Sequence, residues 1–329
     1  MNSKRFLLTA KKLPFLLFLC LMLLFPTATL QGASTGLLLW FQKILPVLLP
    51  FVILSGLIIR LGLISPISKI LYPILKYLFP VSPSGCYPIL IGFLSGLPMG
   101  AKTVADLVQQ KKINPLEGRY LVCLCNNASP MFILNYIAAS ELGVPKLGLV
   151  LCIILYLSAI FSARLAYPIR PLSILNASKH YQTTMFATCL SDDKTSQNQP
   201  QTSLSAQLDC SILDGFTVVT KIGGYVILFS ILSSYLMMLP IPSIFQSVLS
   251  CTLEITTGIH QITLLNLSLS VKLFLSVVFT AFGGLSGLAQ TQSVIHSSGL
   301  STFFYFKIKL INAAFAASIS VLYLFIFPV

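Results

Sequence analysis

The sequence predicts an all-α polytopic membrane protein built as two inverted-topology repeats, with Gly-rich re-entrant hairpins that meet near the bilayer midplane. Three observations carry that expectation. The 329-residue chain is 56% hydrophobic and only 9% charged, with a mean hydropathy of +0.89. That leaves too little polar surface to cover a soluble globule, and the apolar runs reach the roughly 20 residues that a spanning helix needs. Two stretches, FLSGLPMGAKT (residues 93–103) and AFGGLSGLAQT (residues 281–291), interrupt apolar runs with glycine. Superimposing Gly96-Leu97 on Gly284-Leu285 also superimposes Ala101-Lys102-Thr103 on Ala289-Gln290-Thr291. Non-helical backbone survives in hydrocarbon only when buried in protein or lining a cavity, so matched interruptions in two halves point to a solute site at the midplane.

The elements follow in order. Lys4, Arg5, Lys11 and Lys12 precede an apolar run over 13–25, so residues 1–35 read as a signal-anchor-like first span that starts in the cytoplasm. Cleavage of this segment as a signal peptide is the alternative. The first repeat, 36–168, opens with a span over 36–63 that ends near Arg60. SPISKILYPILKYLFP is too short between its prolines to cross and reads as a re-entrant or interfacial helix. The first Gly-rich break follows, then a polar helix over 103–112 and spans over 119–139 and 147–167. Residues 169–210 include DDKTSQNQPQTS, a composition unable to bury apolar surface, and read as a polar cytoplasmic linker. The second repeat, 211–329, holds a span over 212–239, a broken stretch around LEITTG, a span over 264–282, the second Gly-rich break and a last span over 303–327. Basic residues at Arg60, Arg164, Arg170 and Lys179 set the orientation and start the two halves from opposite sides.

The net charge of +13 does not indicate nucleic acid, because the basic residues gather at the ends of apolar runs and are not interleaved with exposed aromatics. The eight cysteines mostly sit in apolar runs as small hydrophobes, without metal-ligand spacing. No cofactor or metal is expected. HExxH, GxSxG and paired-aspartate constellations are missing from the spans, which speaks against an enzyme.

The candidate substrate-binding residues lie at the interruptions. Gly96, Pro98 and Gly100 break the first helix, and the helix that restarts would turn its free N–H groups toward an anionic or polar ligand, with Lys102 adding a full charge and Thr103 following it. Gly283, Gly284, Ser286, Gln290 and Thr291 form the second tip, neutral where the first is cationic. Asn126, Asn127 and Ser129, in CNNASPMF just before Pro130, would contact ligand or satisfy backbone groups freed by the proline. Glu254 is the lone carboxylate in the membrane body of the second half; it could couple an ion, pair with Lys102 or sit at an interface. Simple small-residue packing at Gly96-xxx-Gly100 and Gly283-xxx-Gly287 is the rival to a site. His260 and His296 read as polar rim residues.

FLSGLPMGAKT, the EGR and CNNASPMF stretch, LEITTG and FGGLSGLAQT together resemble the sporulation integral membrane protein YlbJ family, in the wider nucleoside-recognition Gate group related to concentrative nucleoside transporters. The resemblance spans residues 37–327. It implies a carrier of a small solute in the cell membrane or forespore membrane of a spore-forming bacterium, with dipicolinic acid import into the forespore as the leading activity. A nucleoside carrier and a non-transporting sporulation assembly factor are the alternatives. The expected partners are a small solute and the lipid bilayer, with homo-oligomerisation left open.

Overall fold

The computed structural model describes residues 2–61, 63–167 and 203–328, all of whose regular elements are helical. Among them, five helical segments are long and apolar enough to cross a membrane: Pro26–Ile58, Pro145–Ala166, Leu204–Leu236, Leu269–Ser298 and Thr302–Ile326. The expected linker over 169–210 falls mostly outside the described residues. Its last part does not remain a linker, because the helix after it is already formed at Leu204, capped by the Ser203 hydroxyl that accepts from Ala206 N at 3.3 Å.

Helices α1 (Asn2–Leu24), α2 (Pro26–Leu39) and α3 (Leu45–Arg60) lead in, with a π-wound turn over Trp40–Ile44 between α2 and α3. Helix α4 (Ile64–Leu78) leaves Ile70, Ile74, Tyr77 and Leu78 exposed beside Lys69 and Lys76, as an interfacial helix would. Two short helices follow, α5 (Cys86–Ser95) and α6 (Met99–Gln109). Next come α7 (Pro115–Cys125), the π-wound α8 (Phe132–Glu141) and α9 (Gly148–Ala166). After the undescribed stretch stand α10 (Leu204–Leu236), α11 (Ser243–Leu253), α12 (Ile255–Leu264), α13 (Leu269–Phe282), α14 (Gly284–Ile295) and α15 (Thr302–Ile326).

The short helices explain the plan. Each of α5, α6, α11 and α12 has 10 or 11 residues, which at 1.5 Å per residue gives roughly 15 Å, half of a hydrocarbon core. Each pair folds back on itself. A Cβ on Gly100 would lie 3.1 Å from Gly92 Cα, and one on Gly258 would lie 2.3 Å from Cys251 Cα, so positions equidistant from each break touch. These are helical hairpins that enter halfway and return. By contrast, α7 runs on into α8 and α13 into α14, each as a crossing helix interrupted at its middle.

This corrects one expectation. The second Gly-rich stretch is not a hairpin tip but the interruption in a crossing helix, and the hairpin of the second half turns at Glu254. The same order, hairpin then interrupted helix then continuous helix, appears as α5/α6, α7/α8, α9 and again as α11/α12, α13/α14, α15. The partner of the Gly96 break is therefore Glu254, and that of Gly283 is the Asn126–Ser129 break. Following the chain through these crossings places the ends of α3, α6 and α9 on one side, with Arg60, Lys111, Lys112 and Arg164, which the positive-inside rule makes cytoplasmic. The first hairpin enters from that side and the second from the other, an order compatible with inverted repeats.

Around this centre, α10 packs along α2 and α3. The Trp40 indole donates to Val219 O at 2.9 Å and lies on Gly223, while Gly32 and Gly36 admit Ile231 and Ser230 at contact distance. The first hairpin is packed as tightly: Cβ atoms on Gly92 or Gly100 would each fall 2.3 Å from Cys125 O. Asn114 caps α7 by accepting from Glu117 N at 2.8 Å, and the buried Glu117 carboxylate accepts from Ser82 N at 2.7 Å, tying α7 to the loop that enters the first hairpin.

Two outcomes follow from this packing. Single cysteines at Lys111 and Met238, in a background without reactive thiols, should be labelled by an impermeant reagent from opposite faces of oriented vesicles; labelling from one face would refute the opposed hairpins. Gly100→Val should lower stability by about 1–3 kcal/mol or more through overpacking against Cys125, read as a drop in the melting temperature of the purified protein.

Candidate functional site

Every chain interruption ends at the same place. The first hairpin stops at Gly96 with φ +72°, and α13 stops at Gly283 and Gly284 with φ +88° and +69°, a left-handed backbone that side chains with a Cβ rarely adopt. The Asn126–Ser129 break lies against the first tip: Leu97 N donates to Asn127 O at 2.8 Å, and a Cβ on Gly96 would meet Ser129 N at 2.6 Å. The Gly284 backbone lies on the second tip, where a Cβ would be 3.2 Å from Leu253 O and 3.5 Å from Glu254 Cα. Leu97 reaches across to Gly287, 3.7 Å from the position of a Cβ there. The two hairpin tips and the two interrupted helices therefore meet at mid-depth.

They border a cleft that is partly open to its surroundings. Ser95 and Leu97 line it from the first tip, Ser129 and Phe132 from the first interrupted helix, Glu254 and Thr256 from the second tip, and Ser286 and Gln290 from α14. Ile44, Leu48, Ile222 and Val226 supply an apolar wall from α3, α10 and the π turn. Its polar groups are incompletely matched. Ser95 Oγ and Gln290 Oε1 are buried without a protein partner, while Gln290 Nε2 donates to Ser286 Oγ at 3.1 Å. Two buried oxygens on residues that line one cleft, each costly to leave unpaired, mark it for a ligand with hydrogen-bonding atoms.

Glu254 occupies the second tip as one extended residue between α11 and α12, 3% exposed. Its carboxylate caps α12 by accepting from Thr257 N at 2.7 Å. It neither pairs with Lys102 nor sits at an interface; it is the only acidic side chain among the residues lining the cleft, and no basic residue lines it.

The expectation that Lys102 charges the first tip is corrected. Its ammonium turns away along α6 and bonds Asp106 at 2.8 Å, with both side chains nearly half exposed. Thr103, although buried, donates to Met99 O at 2.9 Å within its own helix. Gly100 and Pro98 are buried in the hairpin, away from the cleft lining. Asn126 donates to Thr291 Oγ1 at 2.7 Å and to Tyr305 OH at 2.8 Å, and Tyr305 OH donates back to Asn126 O at 3.1 Å. Asn127 donates to Leu124 O at 2.7 Å and accepts from Lys309 Nζ at 2.8 Å. The two asparagines and Thr291 thus bind the interrupted helices to each other and to α15, with Asn126 Oδ1 left unpartnered. His260 Nδ1 lies 2.9 Å from Glu141 Oε2, at the rim where α12 meets α8.

Lys309 escaped the sequence reading. It is 2% exposed, on the face of α15 that also carries Tyr305 and Asn312. The signal was present as polar residues at positions i, i+4 and i+7 of an otherwise apolar span, a spacing that aligns them on one helix face.

The arrangement defines an all-α integral membrane protein with interrupted helices around a central, largely apolar cleft that carries a few polar groups. A family model described as Nucleoside recognition, named Gate, matches residues 41–188. The chain is 26% identical over 312 residues, 89% of its length and 76% of the relative's, to the "Sporulation integral membrane protein YlbJ" of Bacillus subtilis (strain 168). No solved structure matches it. With the four motifs in order, the chain is similar to this YlbJ relative along most of its length and to the Gate family model over its first half.

Two substitutions separate scaffold from cleft. Asn126→Leu removes the two bonds its amide donates to Thr291 and Tyr305, whose hydroxyls keep the bonds they donate to backbone carbonyls, and should cost about 1–3 kcal/mol in thermal or denaturant unfolding. Lys102→Gln removes only a half-exposed pair and should change stability by less than about 0.5 kcal/mol, with solute binding unaltered in a titration of the purified protein.

Proposed function

We propose that the chain is a secondary carrier that moves a small planar polar solute through the central cleft, with Glu254 carrying the coupling proton. The observation that carries this reading is the convergence of two hairpins from opposite membrane faces on one partly polar cavity. Opposed half-depth hairpins leave a thin barrier on either side of the cleft, and rocking of one repeat against the other would expose it to each face in turn. In this reading Ser95, Ser129, Ser286 and Gln290 hydrogen-bond the solute, and Phe132 with the aliphatic wall covers its ring.

Similarity to YlbJ, a sporulation integral membrane protein, supports a role in sporulation, and dipicolinate imported into the forespore is one cargo to test. No basic side chain lines the cleft to pair with its carboxylates. A carboxylate anion and an ionised Glu254 would repel within one cleft, so a dicarboxylate would enter with Glu254 protonated. That is proton symport by charge compensation. A nucleoside is the second reading, favoured by the uncharged donors and acceptors of the lining and by the family model's description. It needs no charge compensation.

Vesicles holding the purified protein should accumulate one labelled cargo when a proton gradient is imposed, and competition between dipicolinate and uridine identifies which. Absence of uptake for both, with the protein folded and solute binding lost, would return the chain to the role of a non-transporting assembly factor. Glu254→Gln should retain solute binding and exchange but lose gradient-driven accumulation; undiminished accumulation in that variant would remove the coupling role.

A further inference from the structure

The most unusual charge in the described structure lies outside the cleft lining. Lys309 Nζ donates to Asn127 Oδ1 at 2.8 Å and to Ala281 O at 3.2 Å, with the Tyr305 ring centroid 5.8 Å away. Among the described residues no carboxylate lies within ion-pair distance of it. A cation held at mid-membrane without an anion needs another source of stabilisation, and its surroundings supply one. Ala281 sits in the last turn of α13, where the interruption at Gly283 leaves carbonyls without their i+4 partner and the helix dipole presents its negative end. Asn312 Nδ2 takes up the same carbonyl from the other side at 3.0 Å. The ammonium is thus bound by one backbone and one amide carbonyl, at the ends of two interrupted helices.

Unwound carbonyls and helix C-terminal ends are also what coordinates a mobile coupling cation in carriers with broken helices. We propose that Lys309 is a tethered cation occupying a built-in monovalent-cation site formed by Asn127 and Ala281, so that the protein works without sodium or potassium. The covalent stem holds the amino group at this site from α15 and bridges α7/α8 to α13/α14. A free ion at the same oxygens would have to be bound and released in each cycle. The uptake arm of the test rests on the carrier reading above, whereas the stability arm does not.

The test removes the tether and offers a free ion. In Lys309→Ala the oxygens remain and the ammonium is gone, so Na⁺ or methylammonium should raise the melting temperature of the purified variant by a few degrees over choline at equal ionic strength. The wild type should show no difference among the three salts. Lys309→Met, which fills the space without charge, should also show none, and this separates ion binding from a general salt effect. Equal melting of Lys309→Ala in all three salts would overturn the proposal, as would a sodium-stabilised wild type. If Lys309→Ala does not fold, wild-type uptake decides: unchanged rates when choline replaces sodium and potassium support the tethered cation, and a loss of severalfold refutes it. A wild type inert towards both cargoes would refute the carrier reading while leaving the melting comparison intact.

Discussion

In hydrocarbon each backbone N–H and C=O must find a partner within the protein, and the arrangement of this chain is organised around the four places where its helices stop satisfying that rule by themselves. Gly96, Asn126 to Ser129, Glu254 and Gly283 each end one helix and begin another at mid-depth. None can face lipid. They are gathered at one centre because there the freed groups bind each other, as Leu97 N does with Asn127 O, or bind side chains from α15. Burial of these ends and formation of the cleft are the same event: the space left between mutually supporting helix ends is where a solute can compete for the remaining hydrogen-bonding capacity of Ser95 and Gln290.

Much of this was legible in the sequence, for a physical reason. Glycine and proline inside long apolar runs are locally costly, so Gly96-Leu97-Pro98 and Gly283-Gly284 announce themselves as breaks, and adjacent asparagines before Pro130 do the same. The mispairing of breaks came from relying on glycine. The two Gly-rich stretches resemble each other in composition, yet one turns a hairpin and the other interrupts a crossing helix. The true counterpart of the first tip is LEITTG, where one extended glutamate makes the turn and caps the next helix through its own carboxylate. A tip built this way carries no glycine or proline at the turn itself.

Side-chain direction was the less legible part. Lys102 follows its break by one turn, but helical periodicity turns it away from the centre to Asp106. Lys309, in the last span, reaches the centre from another helix altogether. Which of two lysines faces the interior depends on how α6 and α15 are rotated about their axes. That rotation is set by tertiary contacts such as the close approach of Gly92 and Gly100 to Cys125; for α15 the spacing of Tyr305, Lys309 and Asn312 marks the inward face, whereas α6 carries no comparable local mark.

The half-length of the hairpin arms has an electrical consequence. A bilayer potential drops across whatever is least conductive, and where two hairpins dip from opposite faces to a shared cleft the insulating layer thins to the tips and the residues sealing them. An elementary charge crossing the full potential exchanges about 2.3 kcal/mol per 100 mV. In the carrier cycle proposed above, a proton reaching Glu254 from one face would cross only part of that drop, and the remainder would act when the cleft opened to the other. Voltage would therefore bear on both the loading of the glutamate and the change of access, and the depth of the second tip sets how the work is divided between them.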